Sequence, residues 1–459
     1  MKRITTLFFL LCALMINAQN TIEEKINTRL VDLHKVADGD ENFAGFERIK
    51  NEIGDAQIVM LGEQSHSDAT TYETKIKLIK YLHQEMDFEI LAFESSIYDC
   101  NRAWSMIQKG HDVKDAVAKG IFDIWSTVEE LNPLYQYFEQ SLELEQPLMI
   151  AGFDTQIIGK LALDYFEADL TSYLVTLENI PLYEKEIQQL QSYINAKRNL
   201  KKVKKKKVVQ NIAFLQKLIG QIENQPKTDV SDLWLQSLKS LKVFLSDTNL
   251  GTDNRDQQMA DNLIWLKEKY PNKKIICWGA TSHFLYNSSA IKMQDKKMKK
   301  VADDYYFNHS MMGDYLKKKY GDDVYTIGFI AHEGTFGYNR TVTIEAPSKN
   351  NLEYLIGKSE NDNYFLPLKN ISLETYLSRP LAHQNMTTDI AKVMDGVVFN
   401  RHMRRPVTDW EFFLYIVPEN KMSKKKKERF IREYRLRKEN EKKRKLKEEQ
   451  DKSDKIKRT

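Results

Sequence analysis

The feature that most constrains this chain is a strand–helix–strand pattern near its N-terminal end. Two apolar runs, QIVML (57–61) and FEILAF (88–93), flank residues 68–86, where apolar side chains recur every three or four positions. That spacing predicts an amphipathic helix with Asp68 as its N-cap. A helix that joins two short buried strands is a βαβ unit, which predicts parallel strands in a sheet covered by helices.

Three further runs have the same character: PLMIAGF (147–153), KKIICW (273–278) and DVYTIGF (323–329). All five runs are nearly continuously apolar, as expected of strands that are buried on both faces. Residues 157–270 show long charged stretches with helical periodicity and no convincing strand. The predicted fold class is therefore α/β, with a mostly parallel helix-covered sheet, an inserted helical lobe and a charged C-terminal tail.

These patterns divide the chain into five segments. They are a signal peptide (1–18), the first part of an α/β catalytic core (19–156), a helical insertion or cap (157–252), the second part of the core (253–417) and a basic charged tail (418–459). The first segment has Lys2 and Arg3, then the apolar run LFFLLCALMI, then the small residue Ala18. This is the layout of a secretory signal, and the run is too short to span a bilayer. We expect export to the periplasm or the cell exterior rather than an uncleaved anchor.

Cysteine content adds little to this framework. Export permits disulfides, and removal of the signal peptide would leave Cys100 and Cys277. Two cysteines cannot form the scaffold of a chain this long, so they either form one bridge or remain two separate thiols.

The net charge of +4 conceals an uneven distribution. Residues 421–459 hold 19 Lys/Arg against 8 Asp/Glu, a net charge of +11, which leaves −7 on residues 1–420. The segment KRNLKKVKKKK (197–207) adds eight positive charges and no negative one. Such runs can bind nucleic acid or anionic lipid, but no zinc finger, recognition helix or aromatic-interleaved basic groove accompanies them. We expect solvated segments, no nucleic-acid partner, and only weak contact of the tail with an anionic envelope surface.

Titratable residues follow every predicted strand. In strand order they are Glu63 with His66, Glu94, Asp154, His283, and His332 with Glu333. Ligands of open α/β sheets bind outside the carboxyl ends of the strands, so these residues predict one site at one edge of the sheet. His332 is as readily structural as functional, and the remaining histidines are interpreted as structural: His34, His83, His111, His309, His383 and His402.

The first and fourth strand ends share a pattern of glycine, three residues and histidine. It runs from Gly62 to His66 and from Gly279 to His283. We expect each glycine to permit a sharp turn or a positive φ, so that the next side chains project over the sheet edge. Either pattern alone is a weak signal, and the convergence of several strand ends is what favours a site.

Missing motifs exclude several catalytic classes. No Gly-x-Ser-x-Gly elbow occurs, and neither a P-loop nor a Gly-x-Gly-x-x-Gly follows a strand. Without a nucleophile, we interpret the cluster as a histidine that activates water and is oriented by a carboxylate. A basic side chain would then stabilise the oxyanion. Lys75 is the candidate, because one face of the predicted helix turns toward the strand edge. No cofactor is expected.

The chain resembles the erythromycin esterase family in several segments that follow the family's order. They are IVMLGEQSH (58–66), FEILAFESS (88–96), GFDTQ (152–156), NRDQQMADNLIWL (254–266), IICWGATSHF (275–284) and, more weakly, GDYLKKKYGDDVYTIGF (313–329). The resemblance covers most of residues 40–400. It implies an α/β core, a helical lobe and a cleft between them. It also implies hydrolysis of an ester, such as the macrolactone of macrolide antibiotics, without a covalent nucleophile.

The same resemblance implies roles for individual residues. His66 matches the family's general base, and Glu63 matches the carboxylate beside it. Glu94 matches the acid after the second strand, and His283 matches the second histidine of a His-Asn-x-His motif. Four positions depart from the family pattern, with Ser67 in place of glycine, Lys75 of arginine, Ala280 of the first motif histidine and Thr281 of asparagine.

The leading hypothesis is an exported ester hydrolase acting on a small-molecule substrate. His66 takes a proton from water, and Glu63 or Glu94 orients its ring. His283 and Lys75 stabilise the intermediate or protonate the leaving alcohol, and three residues are assigned to substrate binding: Asp154, Ser65 and Arg255. Two alternatives remain. One is a metal-dependent hydrolase with His66, Glu94 and His283 as ligands, and the other is a ligand-binding surface protein whose site has decayed.

Overall fold

The structure is a computed structural model of the chain. It describes residues 22–34, 36, 40–199, 201–306, 308–338 and 340–416, together with helical parts of 424–443. The predicted signal peptide and most of the predicted basic tail lie outside the described residues. No helix among the described residues is long and apolar enough to cross a membrane.

Strands occur along most of the described chain. They are β1 (Val31–Asp32), β2 (Ile58–Glu63), β3 (Phe88–Ser96), β4 (Met149–Asp154), β5 (Lys274–Ala280), β6 (Val324–Phe336), β7 (Val342–Ile344), β8 (Asn363–Pro367), β9 (Ser378–Leu381), β10 (Gln384–Met386) and β11 (Gly396–Met403). The five predicted strands are β2 to β6. Each one runs further toward its carboxyl end than predicted, so Glu63, Glu94 and Asp154 belong to the strands themselves.

Helices follow most of these strands, and a short helical stretch at residues 22–27 precedes β1. The helices from residue 47 onward are α1 (Glu47–Ile53), α2 (Ala69–Met86), α3 (Ile97–Gln108), α4 (Val113–Gly120), α5 (Asp123–Ser126), α6 (Asn132–Ser141), α7 (Lys160–Val175), α8 (Glu184–Arg198), α9 (Lys205–Glu223), α10 (Asp229–Leu250), α11 (Arg255–Lys269), α12 (Thr281–Phe284), α13 (Lys296–Tyr305), α14 (Met312–Tyr320), α15 (Leu352–Ile356) and α16 (Trp410–Ile416). The predicted helix over residues 68–86 is α2.

The central sheet is mixed, with a parallel middle. Its strand order is β1-β8-β11-β6-β2-β5-β3-β4, and β7 pairs with β6 outside this order. The six strands from β11 to β4 pair in parallel, whereas β1, β8 and β7 pair antiparallel. The predicted α/β class with a mostly parallel sheet is confirmed.

The apolar side chains of the central strands alternate between two cores, one on each face of the sheet. On β2, Val59 and Leu61 belong to one core with residues of α2, and Ile58 and Met60 belong to the other with residues of α11 and α14. Burial on both faces is the reason the strand sequences lack the apolar–polar alternation of a half-exposed sheet.

Between β4 and β5 the chain forms five consecutive helices, α7 to α11. Residues from α7, α8, α9 and α10 share an apolar core of their own, in which Trp234 packs against Tyr98, Phe166 and Tyr173. This separate core makes the helical lobe a packed unit that is joined to the sheet through α3 and α11.

The two strand-end glycines have a different role from the one expected. Neither Gly62 nor Gly279 has a positive φ, and both lie inside strands. A Cβ on Gly62 would lie 2.7 Å from the Cα of Thr281, and a Cβ on Gly279 would lie 2.9 Å from Oε2 of Glu94. Glycine is therefore required because neighbouring groups approach the backbone closely.

Two other expectations are resolved by the geometry. Asp68 precedes α2, but its side chain caps no helical N–H; it accepts a hydrogen bond from the Ser65 amide (2.9 Å) and contacts His383 (3.0 Å). Asp68 thus orders the loop before the helix. Cys100 and Cys277 are both free and buried, so the open alternative resolves to two separate thiols.

Substituting Gly62 by Ala should destabilise the fold by about 1–3 kcal/mol, since the added methyl group meets the backbone Cα and N of Thr281 as well as its Oγ1. Urea unfolding followed by circular dichroism measures this change. Gly220 in α9 is the matched control: a Cβ added there would have nothing within 4 Å, so Gly220→Ala should be neutral or stabilising by up to about 1 kcal/mol. Equal effects of the two substitutions would contradict the close-approach explanation.

Candidate active site

Adjacent carboxyl ends of β2, β5, β3 and β4 bring most of the predicted residues together. Glu63 on β2 is the register partner of Ala280 on β5, and Phe93 on β3 is the partner of Trp278 on β5. Glu94 therefore lies beside the end of β5, and its Oε2 accepts a hydrogen bond from the Ala280 amide (2.8 Å).

Glu63 and His66 form the first half of the site. The Nδ1 of His66 lies 2.9 Å from Oε1 of Glu63. A carboxylate can only accept, so Nδ1 carries the ring proton and donates a hydrogen bond to Glu63. Glu63 is fully buried, whereas 38% of the His66 side chain is exposed. The Nε2 of His66 has no hydrogen-bond partner among the described residues, which leaves its lone pair available to a bound molecule.

Lys75 is placed differently from the prediction. Its ammonium group contacts Oε2 of Glu63, donates a hydrogen bond to the carbonyl of Gly279 (3.1 Å) and lies 4.6 Å from the centre of a Trp278 ring. The side chain has no exposed surface, so it cannot contact a substrate oxyanion in this structure. Burial lowers the pKa of Lys75, and the nearby carboxylate of Glu94 acts in the opposite direction. In this structure Lys75 contacts the carboxylate of Glu63 from the interior of the protein.

Three aromatic residues complete the support of His66. The indole Nε1 of Trp125 donates to Oε1 of Glu63 (3.0 Å), and its ring meets the imidazole of His66 edge to face, with centroids 5.2 Å apart. The hydroxyl groups of Tyr72 and Tyr338 both contact the carbonyl oxygen of His66. The ring of His66 is thus held by Glu63 and Trp125, and its backbone carbonyl by the two tyrosines.

Arg255 is the centre of the second half of the site. Its guanidinium makes a bidentate contact with Asp154, through Nε (3.0 Å) and Nη2 (2.9 Å). The same Nη2 donates to Oε1 of Glu94 (2.8 Å), and Nη1 lies 3.1 Å from Nε2 of His283. Asp154 is fully buried and anchors Arg255, which keeps 27% of its side chain exposed. Contact of Asp154 with substrate stays a prediction.

His283 lies between two carboxylates. Its Nδ1 donates to Oδ1 of Asp256 (2.8 Å), and its Nε2 accepts from Arg255 while lying 3.4 Å from Oε1 of Glu94. Burial lowers the pKa of His283, but Asp256 and Glu94 outweigh burial and raise it above the ordinary value. A second proton on this ring would sit on Nε2, where Glu94 can accept it in place of the bond from Arg255.

Glu94 remains ionised at neutral pH. Burial alone would raise its pKa, but His283, Arg255 and His66 lower it to about 2. The pKa of Asp256 is also lowered, against burial, mainly by His283. Because His66 is one of the charges that act on Glu94, the two halves of the site lie within electrostatic range of each other.

The backbone of β5 joins the two halves. The carbonyl of Gly279 accepts from Lys75, and the amide of the next residue, Ala280, donates to Glu94. Thr281 then donates to the carbonyl of Gly62 (2.5 Å). At position 280, where the family pattern has a histidine, this chain thus has the small side chain of Ala280, and the backbone amide makes the contact with Glu94.

Ser65 and the residues of the fifth predicted strand end, His332 and Glu333, lie in different surroundings. Ser65 is half-buried, and its hydroxyl lies 2.9 Å from that of Ser67, so it remains a candidate for substrate contact. His332 and Glu333 lie inside β6, and Glu333 contacts His402 (3.5 Å). The expectation that the fifth strand adds a titratable group to the site is wrong; its following loop contributes Tyr338 instead.

Within the described ranges, no group of three or more His, Cys, Asp or Glu side chains has a geometry that could hold a metal ion. His66, Glu94 and His283, the ligands of the metal-dependent alternative, are instead engaged with Glu63, Arg255 and Asp256. The proposed ligand set is therefore not preformed.

Sequence reasoning missed several contributors. Asp256 follows Arg255 directly in the segment NRDQQ, so its place beside a recognised residue was a usable signal. Trp125 and Tyr338 come from helix α5 and from the loop after β6, and no spacing in the sequence links either one to His66.

A parallel sheet that gathers carboxylates and histidines at its carboxyl edge is an arrangement typical of active sites in α/β proteins. The comparison with known families agrees: this chain belongs to the erythromycin esterase family, a family of hydrolases, whose pattern matches residues 83–402. That range includes Glu94, Asp154, Arg255 and His283 and begins after Glu63 and His66.

The individual relatives share low sequence identity with this chain. The chain is 27% identical over 352 residues to a Bacillus subtilis (strain 168) protein named "Putative hydrolase YbfO", covering 69% of this chain and 75% of that one. It is similar in fold to a crystal structure of a Bacillus cereus protein (TM-score 0.68, 18% identity, 85% of this chain and 98% of that one). It is also similar in fold to a mutant of the erythromycin esterase EreC in its open conformation (TM-score 0.61, 15% identity, 82% and 97%).

Removing the partner of a buried charge should be costly. Lys75→Met leaves the buried carboxylate of Glu63 without its cation, and we expect a loss of about 3–5 kcal/mol in the free energy of unfolding, measured in urea. Adding Glu63→Gln to Lys75→Met should recover part of that loss, because the uncompensated charge is gone. A loss below about 1 kcal/mol in the single variant would contradict the pairing.

The low pKa of Glu94 predicts a pH dependence of stability. A carboxyl group whose pKa falls from 4.5 to about 2 on folding stabilises the fold above pH 4.5 and loses that effect as the pH falls toward 2. Glu94→Gln should therefore be less stable at pH 7 by about 3 kcal/mol, and the difference should shrink between pH 4.5 and 2. Glu145→Gln, at an exposed position, is the control. A difference that stays constant with pH would contradict the assignment.

Proposed function

We propose that this protein hydrolyses a carboxylic ester by direct attack of water, with His66 as the general base. The observation that supports this is the Glu63–His66 pair. One ring nitrogen is fixed by a buried carboxylate, and the other is exposed and without a protein partner among the described residues. A base must be held in one tautomer with its lone pair toward the reacting atoms, and this pair meets that requirement.

The hydrolytic step can be written from these contacts. Nε2 of His66 takes a proton from water while the water oxygen attacks the ester carbonyl carbon. The imidazolium that forms is stabilised by Glu63, whose charge is balanced by Lys75. The same proton then passes to the leaving alkoxide, so that the base returns to its starting state and the ester gives an acid and an alcohol.

The second half of the site supplies positive charge for the intermediate. Arg255 is partly exposed while its far side is held by Asp154 and Glu94, which makes it the guanidinium best placed to bind the carbonyl oxygen. His283 is buried, and its two ring nitrogens contact Asp256 and Arg255, so it supports Arg255 from within the protein. We therefore transfer the oxyanion role from Lys75 to Arg255.

A mechanism without a covalent nucleophile is consistent with the neighbours of His66. In the described part of the chain, neither a serine hydroxyl nor a cysteine thiol is hydrogen-bonded to Nε2 of His66. The hydroxyl of Ser65 forms a hydrogen bond with that of Ser67. Burial raises the pKa of the thiols of Cys100 and Cys277. Water is therefore the proposed nucleophile.

Membership in the erythromycin esterase family supports an ester substrate, and macrolide lactones are the first class to test. Each candidate is incubated with the protein lacking residues 1–18, and mass spectrometry detects addition of one water. The panel comprises macrolides and simple alkyl and aryl esters. A decayed binding protein would retain ligand without releasing product, which the same experiment distinguishes.

His66→Ala should lower kcat by about a hundredfold or more on any ester that the parent protein hydrolyses, because the general base is removed. His111→Ala is the control, since His111 is exposed and remote in sequence from the strand ends. Undiminished turnover by His66→Ala would eliminate this residue as the base. A chelator that abolishes turnover, with recovery on adding a divalent metal, would favour the metal-dependent alternative.

A further inference from the structure

Six lysines occupy positions 201–207 in the helical lobe, and all six are exposed. No carboxylate among the described residues forms an ion pair with any of them. The last three, Lys205 to Lys207, form the first turn of α9, where the helix dipole already places positive charge. Acidic residues usually occupy such a turn, and here none does. The local charge is therefore uncompensated by the described part of the protein.

Half of these lysines surround a concavity. Lys202, Lys204 and Lys207 line a pocket of about 470 Å³ between α8 and α9. Gln189 and Ser192 of α8 contribute polar groups, and the lining contains no Asp or Glu. A concave surface with three cations and no acid has the electrostatic character of an anion site. We name it the lysine pocket.

Asn211 provides an independent observation. It lines the lysine pocket, is 2% exposed, and its Oδ1 accepts a hydrogen bond from Nε2 of Gln189 (2.7 Å). Its Nδ2 has no hydrogen-bond partner in the described structure. A buried amide donor without a partner is costly, so it points to an acceptor that the protein does not itself supply.

We infer that the lysine pocket binds an oxyanion, a phosphate or sulfate group, between the lysine ammonium groups and Nδ2 of Asn211. The lysines neutralise the charge, the amide donates to one oxygen, and the N-terminus of α9 adds its dipole. The group can be a free ion or the head of an anionic lipid. This inference is independent of the proposed hydrolytic activity.

The sequence offers a matched pair of variants. K202Q/K204Q/K207Q removes three lysines that line the pocket, and K201Q/K205Q/K206Q removes three exposed lysines of the same segment that do not. Both change the net charge equally. Asn211→Asp keeps the shape of the side chain and the contact with Gln189 but replaces the unpartnered donor by an acceptor. Circular dichroism verifies that each variant is folded.

The test is isothermal titration calorimetry of the full chain with inorganic phosphate and with sulfate at constant ionic strength. We expect the pocket triple variant and Asn211→Asp to bind at least about tenfold more weakly, as for loss of a hydrogen bond to a charged group. The control triple variant should change affinity by less than about threefold, through loss of diffuse attraction alone.

Sedimentation with phosphatidylglycerol vesicles, compared with phosphatidylcholine vesicles, distinguishes the source of the anion. Binding of the free ions supports a soluble ligand. Binding only to the anionic vesicles, weakened more by the pocket triple variant than by the control triple variant, supports a lipid headgroup. Equal weakening by both triple variants, or no binding of any of these anions, would overturn the inference.

Discussion

The carboxylate of Glu63 is the group on which the site depends. Glu63 is the last residue of the buried strand β2, and its side chain has no exposed surface. An unpaired carboxylate at this position would strongly destabilise the fold. Three donors compensate it: the ammonium of Lys75, the indole of Trp125 and the ring of His66. Because the first two come from the interior, the carboxylate cannot turn away, and the imidazole at the surface acquires a fixed orientation. The buried charge thus fixes the orientation of the exposed imidazole of His66, the proposed base.

In the first half of the site, donors enclose a carboxylate. In the second half, carboxylates enclose the donors. Here three carboxylates, Glu94, Asp154 and Asp256, enclose one guanidinium and one imidazole. With one permanent cation among three acids, a proton on His283 improves the local balance, which explains why its pKa rises despite burial. The two histidines therefore have different surroundings. His66 contacts one carboxylate, whose charge Lys75 balances, and its other ring nitrogen has no partner among the described residues. His283 has a carboxylate near each of its ring nitrogens.

Sequence patterns predicted the parts of this site that depend on strands. Continuous apolar runs located β2 to β6, and the rule that sites lie at strand ends gathered Glu63, Glu94, Asp154 and His283 correctly. The orientation of Lys75 could not be read in the same way, since helical periodicity shows that one face is buried but not whether a cation on that face meets acid or solvent. The spacing around Gly62 and Gly279 was meaningful, but its cause was a close approach of Thr281 and Glu94 rather than a turn.

The sequence did not indicate which side chains of the helices and loops contact the strand-end residues. Trp125 reaches Glu63 from α5, and two residues before it Asp123 pairs with Arg198 at the end of α8 (2.6 Å). This pair ties the helical lobe to α5, whose Trp125 contacts His66. Since the carboxylates of the site are saturated by protein groups, the surfaces left for a substrate are His66, Ser65 and the open side of Arg255. For the proposed hydrolysis, we expect these three small surfaces to orient the ester group and the lobe that Asp123 and Arg198 tie to α5 to select among esters.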